Sequence, residues 1–234
     1  MIINRSFNDF KFRHRSKKNQ IIYTSKKVKN DKEILNLIDN FLIEKNSFIF
    51  ESVEKGKIKG RYTIFGKDPD KIWEFNDKNS YLIKDKRKIK LKTNPDQLIE
   101  KIIEEFKFDT PKNLPKICSL ISGYFSYDSI RYIEKIPNKC KNDLNLPDVR
   151  LLRPRTLIIH DNLQKKIFYI VNIFNDEKIT NYQKKFEDIK SKLFKLTAQS
   201  SIKNLKKSNN KVTKNIKVKS NTPKNKFLSM VDKA

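Results

Sequence analysis

With 234 residues, 37% of them hydrophobic and sixteen of them Phe, the chain has the material for one or two domains with a packed core. Its longest apolar run, residues 167–171, is far short of the ~20 residues of a membrane helix, the N-terminus lacks the h-region of a secretory signal, and Cys118 and Cys140 form no Cys-x-x-Cys pair, so the expectation is a cytoplasmic protein with reduced thiols. The net charge of +26 sits mostly on the ends, with nine Lys/Arg against one acid in residues 1–30 and ten Lys against one acid in residues 201–234, which leaves the middle only mildly basic.

Residues 1–19 form a basic segment without clear periodicity. Gln20–Val28 reads as a short strand through Ile21, Ile22, Tyr23 and Val28. An amphipathic helix is expected over Asp31–Glu44, with Asn30 or Asp31 as its cap. Ser47–Val53 and Arg61–Phe65 read as a hairpin about a loop holding Gly56 and Gly60, followed by short strands at Ile72–Asn76, Tyr81–Lys84 and Lys88–Leu91. Helical spacing returns at Pro95–Phe106. Ile117–Ser126 reads as a strand, leading into a helix near Ser129–Ile136 that Asp128 would cap. Leu157–His160 and Lys166–Phe174 suggest a second hairpin, and Thr180–Leu196 a long helix. Arg150, Arg153 and Arg155, among Pro147 and Pro154, read as a solvated, extended edge. Beyond Ala198 Ser, Lys, Asn and Thr prevail until about Asn225, a linker with too little apolar area to offset ordering. Phe227, Leu228 and Val231 then resume helical spacing. The expected fold class is α+β: antiparallel β-sheets with packed helices, then a flexible Lys/Asn/Ser-rich linker.

Three of the four glycines, Gly56, Gly60 and Gly66, fall in Phe48–Asp70, and the fourth, Gly123, opens Gly-Tyr-Phe-Ser-Tyr-Asp. In so glycine-poor a chain they mark backbone that turns tightly or approaches something closely. If the first hairpin pairs antiparallel, Arg61 returns near Glu51 and Ser52. A carboxylate, a hydroxyl and a guanidinium together suit a zwitterionic amino acid, whose ammonium needs an acceptor and whose carboxylate needs donors. The same spacing also allows a plain Glu51–Arg61 ion pair with Ser52 capping the turn. No Ser/His/Asp set, metal-ligand cluster or phosphate-cradling loop is legible, so no catalytic residue and no metal site is assigned within these residues.

In order along the chain, Phe48-Ile-Phe-Glu-Ser-Val-Glu-Lys-Gly with Gly60-Arg-Tyr-Thr-Ile-Phe-Gly-Lys-Asp-Pro, then Gly123-Tyr-Phe-Ser-Tyr-Asp-Ser-Ile-Arg131 with Glu134-Lys-Ile-Pro137, then Asp143–Asp148 with Arg153-Pro, resemble the N-terminal blocks of anthranilate synthase component I, the large subunit. The resemblance covers roughly residues 20–174. It implies a cytoplasmic lyase of tryptophan biosynthesis that converts chorismate and ammonia to anthranilate and pyruvate with Mg²⁺. A glutamine amidotransferase small subunit (component II) would supply the ammonia. It also implies an L-tryptophan feedback site, in which Ser52 matches the family's tryptophan-binding serine, with Glu51 and Arg61 beside it.

The expected domains are a basic segment at 1–19, the family's N-terminal domain at 20–198, a linker at 199–225, and the start of the chorismate-binding domain at 226–234. On that reading the chain stops ahead of its catalytic domain and is inactive alone. Lys55 and Thr63 depart from the family's usual glycine and serine. The related para-aminobenzoate synthase component I is the alternative within the architecture. A basic nucleic-acid binder acting through its tails is the alternative outside it, although the tail at 201–219 reads more simply as a solvated linker, and no nucleic acid or membrane partner is expected.

Overall fold

The first element is a helix that the sequence conceals. The Ser6 hydroxyl accepts from the Asp9 amide at 3.3 Å and opens α1 (Phe7–Arg15). Its apolar side is little more than Phe7, Phe10 and His14, too narrow a stripe to read by periodicity. Next come β1 (Gln20–Lys27) and α2 (Lys32–Phe41), both in expected places. Glu33 turns back to accept from the Lys29 amide (3.0 Å) and pairs with Lys26 (2.8 Å), which fixes the entry to α2. Then follow β2 (Phe48–Phe50), β3 (Tyr62–Asn76), β4 (Asn79–Lys84), β5 (Arg87–Leu91), α3 (Pro95–Glu105), β6 (Ser122–Phe125), β7 (Val149–Asp161), β8 (Lys166–Ile173), α4 (Tyr182–Gln199) and α5 (Lys224–Asp232). This computed structural model describes residues 2–30, 32–41, 44–51, 60–77, 79–137, 144–199 and 220–233, in two compact units, 1–203 and 204–234, with α5 in the second.

The eight strands of the described residues join one antiparallel sheet in the order β1-β8-β7-β3-β4-β5, with β2 added to β3 and β6 to β7. The α+β class is as expected. The strand lengths are not. Arg61–Phe65 and Ile72–Asn76 read as separate strands, but all of these residues save Arg61 belong to the single fifteen-residue β3, paired from Tyr62 to Phe75 with β7. Between those two runs Pro69 sits opposite another proline, Pro154. Neither ring has an amide to donate, so the ladder loses nothing by placing them together. The register shifts between Pro69 and Lys71, and Asp68 adopts a left-handed φ of 53°, the geometry of a bulge that bends the strand.

That bend gathers charge. Arg153 donates to Asp70 through Nε (2.8 Å) and Nη2 (2.5 Å), and to Asp176 (2.9 Å), with its guanidinium 3.8 Å over the Phe174 ring. The Arg153 and Asp70 side chains are 8% and 7% exposed. The expected solvated edge is therefore corrected for Arg153: alternation along β7 turns it inward, where paired carboxylates make a buried guanidinium tolerable. Arg155 is held more loosely, 3.8 Å from Asp70 and 3.5 Å from Glu177. Asp68 accepts from Thr156 (2.8 Å) and Lys192 (2.6 Å), tying the bulge to α4.

The sheet separates its apolar residues by parity. On one face Ile22, Phe65, Ile158 and Tyr169 pack under α1, α2 and α4, where Phe10 stacks on Phe186 at 5.4 Å. On the other, Ile21, Leu157, Ile159 and Phe168 meet Leu114 and Cys118 from the segment before β6. Trp73, Phe75, Val149 and Leu151 form a third cluster with Leu98 and Ile102 of α3. Each fully buried side chain of this size contributes roughly 1.5–3 kcal/mol. At the outer edge of β1 Asn4 imitates a strand: its amide reaches the Tyr23 carbonyl (3.2 Å), its side chain donates to the Ile21 carbonyl (3.1 Å), and its Oδ1 accepts from the Tyr23 amide (2.8 Å). At the opposite edge, β5 presents exposed Arg87, Lys88 and Lys90.

Two glycines mark close approach, as their rarity suggested. The Phe48 ring lies where a Cβ on its cross-strand partner Gly66 would be, 2.1 Å from it. A Cβ on Gly123 would stand 1.9 Å from the Arg150 carbonyl oxygen of β7. A ring can turn aside, but a ladder carbonyl cannot. Gly123→Ala is thus expected to destabilise by about 1–3 kcal/mol and Gly66→Ala by less, measured by urea denaturation. Arg153→Met, which strands Asp70 in the bend, should cost about 3–5 kcal/mol by the same measurement. Arg155→Met should cost less than about 1 kcal/mol.

Candidate functional site

The pairing of β2 with β3 is as expected: Phe48, Ile49 and Phe50 oppose Gly66, Phe65 and Ile64. The chain leaves β2 at Glu51, which is exposed, and re-enters the ladder through Arg61 and Tyr62. Ser52, the third residue of the expected trio, lies outside the described residues, as do Gly56 and Cys140. The structure thus leaves the Glu51 and Arg61 ends on neighbouring strands, but the carboxylate that Arg61 takes is Asp161. Its Nε donates to both Asp161 oxygens (3.1 and 3.2 Å), and its Nη2 to Oδ2 (2.7 Å). The guanidinium also lies 4.9 Å over the Tyr62 ring.

Asp161 ends β7, and its Oδ1 accepts from the Leu163 and Gln164 amides (3.0 Å each), which closes the turn into β8. Burial opposes its charge. The bonds and charge of Arg61, with the two turn amides, outweigh that and bring the carboxyl below its ordinary range. The same contacts push Arg61 further up, led by its hydrogen bonds to Asp161. The sheet register aligns Tyr62 with Asp161, and Asp161 with Lys166, in one row across three strands. Above this row the segment at 112–115 closes a groove of about 410 Å³, into which Lys112, Gln164 and Phe168 also face. Lys166 lies 5.0 Å over the Phe168 ring. Sequence reasoning missed Asp161, Lys112, Gln164 and Lys166. The Asp-Asn-Leu-Gln run marks a turn, but nothing local ties Asp161 to an arginine a hundred positions earlier.

The second motif is structural in the described residues. The expected helix at Ser129–Ile136 is a 3-10 segment, Tyr127–Tyr132, preceded by Ser126. Asp128 is not its cap but pairs with Arg131 (2.7 Å), which also donates to the Ile136 and Pro137 carbonyls. Tyr132 donates to Asp148 (2.9 Å), whose Oδ2 also accepts from the Asp77 amide (2.7 Å). Burial, then Asp148, raises the Tyr132 hydroxyl far above the usual phenol range, so it serves as a fixed donor. Burial likewise pushes the Cys118 thiol up, which disfavours a thiolate there.

Among the described residues no group of three His, Cys, Asp or Glu is placed to hold a metal ion. The nearest approach to a carboxylate cluster, Asp70, Asp176 and Glu177, is already matched by Arg153, Arg155, Lys71 and Lys185. These residues do not fit Mg²⁺. Nor is any described helix long and apolar enough to cross a membrane.

A family model for "chorismate binding enzyme" matches residues 46–234. The chain is 29% identical over 167 residues to anthranilate synthase component 1 of Cereibacter sphaeroides, covering 69% of this chain and 33% of that protein. It is 35% identical over 128 residues to the component 1 protein of Acetivibrio thermocellus, covering 54% and 26%. With the chloroplastic anthranilate synthase alpha subunit 2 of Arabidopsis thaliana it shares 31% over 166 residues, covering 65% and 26%. Among solved structures, anthranilate synthase component I from Streptococcus pneumoniae TIGR4 has the same fold, with a TM-score of 0.50 at 18% identity over 68% of this chain and 33% of that one. The chain spans about a third of the length of the curated relatives it matches, or less.

One expectation is corrected. The family match begins at residue 46, within the sheet, and does not support a chain that stops ahead of its chorismate-binding domain.

The carboxylates define an acid sensitivity. Asp161 and Asp176 are both lowered; against the pull of burial, Lys71 and Arg153 bring Asp176 down to about 2. An unfolded chain binds protons at these groups first, so their stabilisation is complete above about pH 4 and is lost as pH falls through the folded values. The melting temperature should fall steeply between about pH 4 and 2, and in Asp176→Asn that fall should be shallower; burial holds His14 below its ordinary range, so a smaller decline should already begin as pH drops below about 6.5.

Proposed function

Since the chain belongs to the chorismate-binding enzyme family, we propose that it is part of an anthranilate synthase component I, and that Glu51, Ser52 and Arg61 contact L-tryptophan as a feedback effector. The complete enzyme converts chorismate, with ammonia drawn from glutamine by an amidotransferase small subunit, to anthranilate and pyruvate in tryptophan biosynthesis. Mg²⁺ belongs to the complete enzyme's chemistry, and the described residues contribute no site for it. This chain's share in the proposal is regulation and assembly.

The observation that carries the reading is the β2–β3 ladder, which sets an exposed carboxylate, Glu51, and a guanidinium, Arg61, on neighbouring strand ends. A zwitterion asks for that pairing of acceptor and donors. The ordered likeness to component I proteins supports the same assignment. Effector binding at these strand ends can act only through its differential affinity for two states of the whole enzyme.

Titration calorimetry on the 234-residue chain tests the effector site. L-Tryptophan should bind saturably, and Ser52→Ala and Glu51→Gln should each weaken it by about tenfold, or ~1.4 kcal/mol. Neither change should move the melting temperature. Absence of any binding by the unaltered chain would refute the effector role.

A further inference from the structure

A helix of nine residues does not hold itself in water, so α1 stands by what it packs against. Phe7 and Phe10 meet the Phe186 ring of α4 at 5.8 and 5.4 Å, and the Gln20 side chain donates to the Phe10 carbonyl (3.1 Å). In its last turn the seam becomes polar: His14 Nδ1 and the Tyr182 hydroxyl are 3.0 Å apart, with the two rings edge to face. We propose that residues 2–18 form a proton-operated strap: α1 stays latched on α4 while the His14 ring is neutral, and lifts away, drawing Asn4 off the margin of β1, once that ring is protonated.

The seat suits a neutral imidazole and not its cation. His14 is 6% exposed, and its Nε2 completes no hydrogen bond among the described residues, although the Glu177 backbone lies near the ring. A charged ring would have to give up its water there. The neighbours add to the difficulty. Lys17, in the turn after α1, and Lys185 of α4 repel a further positive charge, and the Arg15 guanidinium lies 5.7 Å over the Tyr182 ring. The Glu177 carboxylate, between β8 and α4, favours the proton, but Lys185 and, more loosely (3.5 Å), Arg155 of β7 already hold it. Burial leads this balance and keeps the ring below its ordinary range. In a lifted strap the ring is back in water and binds its proton at about 6.5, so protons favour the lifted form.

Lifting α1 reaches the sheet margin because the strap is braced as a unit. Arg5 donates to one oxygen of Asp9 and Arg13 to the other, so one carboxylate ties the segment before α1 to the helix itself. Asn4 adjoins that brace and makes the bonds that cover Ile21 and Tyr23. Two residues earlier, the Ile2 carbonyl accepts from the Thr24 hydroxyl (2.8 Å).

Native-state hydrogen exchange on the 234-residue chain, from about pH 7.5 to 5.5 with each rate corrected for its intrinsic value, tests the strap. The Phe10 and Ser16 amides, bonded along α1, and the Tyr23 amide, bonded to Asn4, should show opening constants that rise below about pH 6.5. The rise should approach, and not exceed, about tenfold per pH unit, the limit for one proton. Amides of the β7–β8 ladder should not follow. In His14→Gln, which can still bond the Tyr182 hydroxyl but does not titrate, the same three opening constants should be independent of pH. Should that variant fail to fold, NMR of the unaltered protein decides: the chain has two histidines, and the ring in contact with Tyr182 should titrate below its ordinary value. Opening of α1 that is independent of pH, that the ladder shares, or that leaves Tyr23 protected overturns the proposal. So does a pH response retained in His14→Gln, or a His14 ring that titrates at its ordinary value or above.

Discussion

Every strand of the sheet depends on the ladder between β3 and β7. β8 and β6 hang on β7, β4 and β2 on β3, and β1 and β5 are reached only through those neighbours. Two regular strands this long would twist smoothly along their length. These bend because Pro69 faces Pro154 and the register slips beside them. The bend in turn creates the demand for charge. Asp70 is carried inward on the bulge while Asp68 stays at its rim, and Arg153, Thr156 and Lys192 answer them from β7 and α4. A bulge with unanswered carboxylates would not persist, so the curvature of the sheet and the arginine beneath it are one feature.

Much of this was legible, for physical reasons that differ by element. The stripe of α2 and the alternation of β1 are periodic signals, and both lie where expected. The glycines announced themselves through scarcity: Gly66 gives room to the Phe48 ring and Gly123 to a β7 carbonyl. The failures share a cause, which is that local patterns do not report distant partners. The continuity of β3 across Pro69 was not read, since a lone strand gives no hint that one proline will meet another across a ladder. Arg153 read as solvated because its two carboxylates are far from it in sequence. α1 escaped notice because its stability comes from Phe10 against Phe186, not from its own pattern.

The candidate site shows the same division. Glu51 and Arg61 could be brought near each other by reading a hairpin. The carboxylate that Arg61 takes could not be read, because Asp161 belongs to a different hairpin and meets it only after β3 and β7 have paired. The groove exists for that reason: one strand supplies Arg61 and Tyr62, the next Asp161, the third Lys166 and Phe168, and a loop supplies the lid. A site spread over four segments has no linear motif. The short run around Glu51 and Ser52 has one, and so it carries part of the likeness to anthranilate synthase component I.

The two rims of the sheet are treated differently, and the difference bears on how the protein behaves at high concentration. A bare strand margin is a template for fibrillar growth. Along β1, Asn4 occupies the outward donors and acceptors at Ile21 and Tyr23, so an incoming strand would first have to displace a residue of the same molecule. Along β5 the backbone is left open among the described residues, and exposed Arg87 and Lys90 impose mutual repulsion on any two copies that approach edge to edge. Steric occupation is indifferent to ionic strength, whereas repulsion is screened by it. Colloidal stability should therefore be lost first at the lysine-bearing rim as salt is raised, with association proceeding in one direction from that side only.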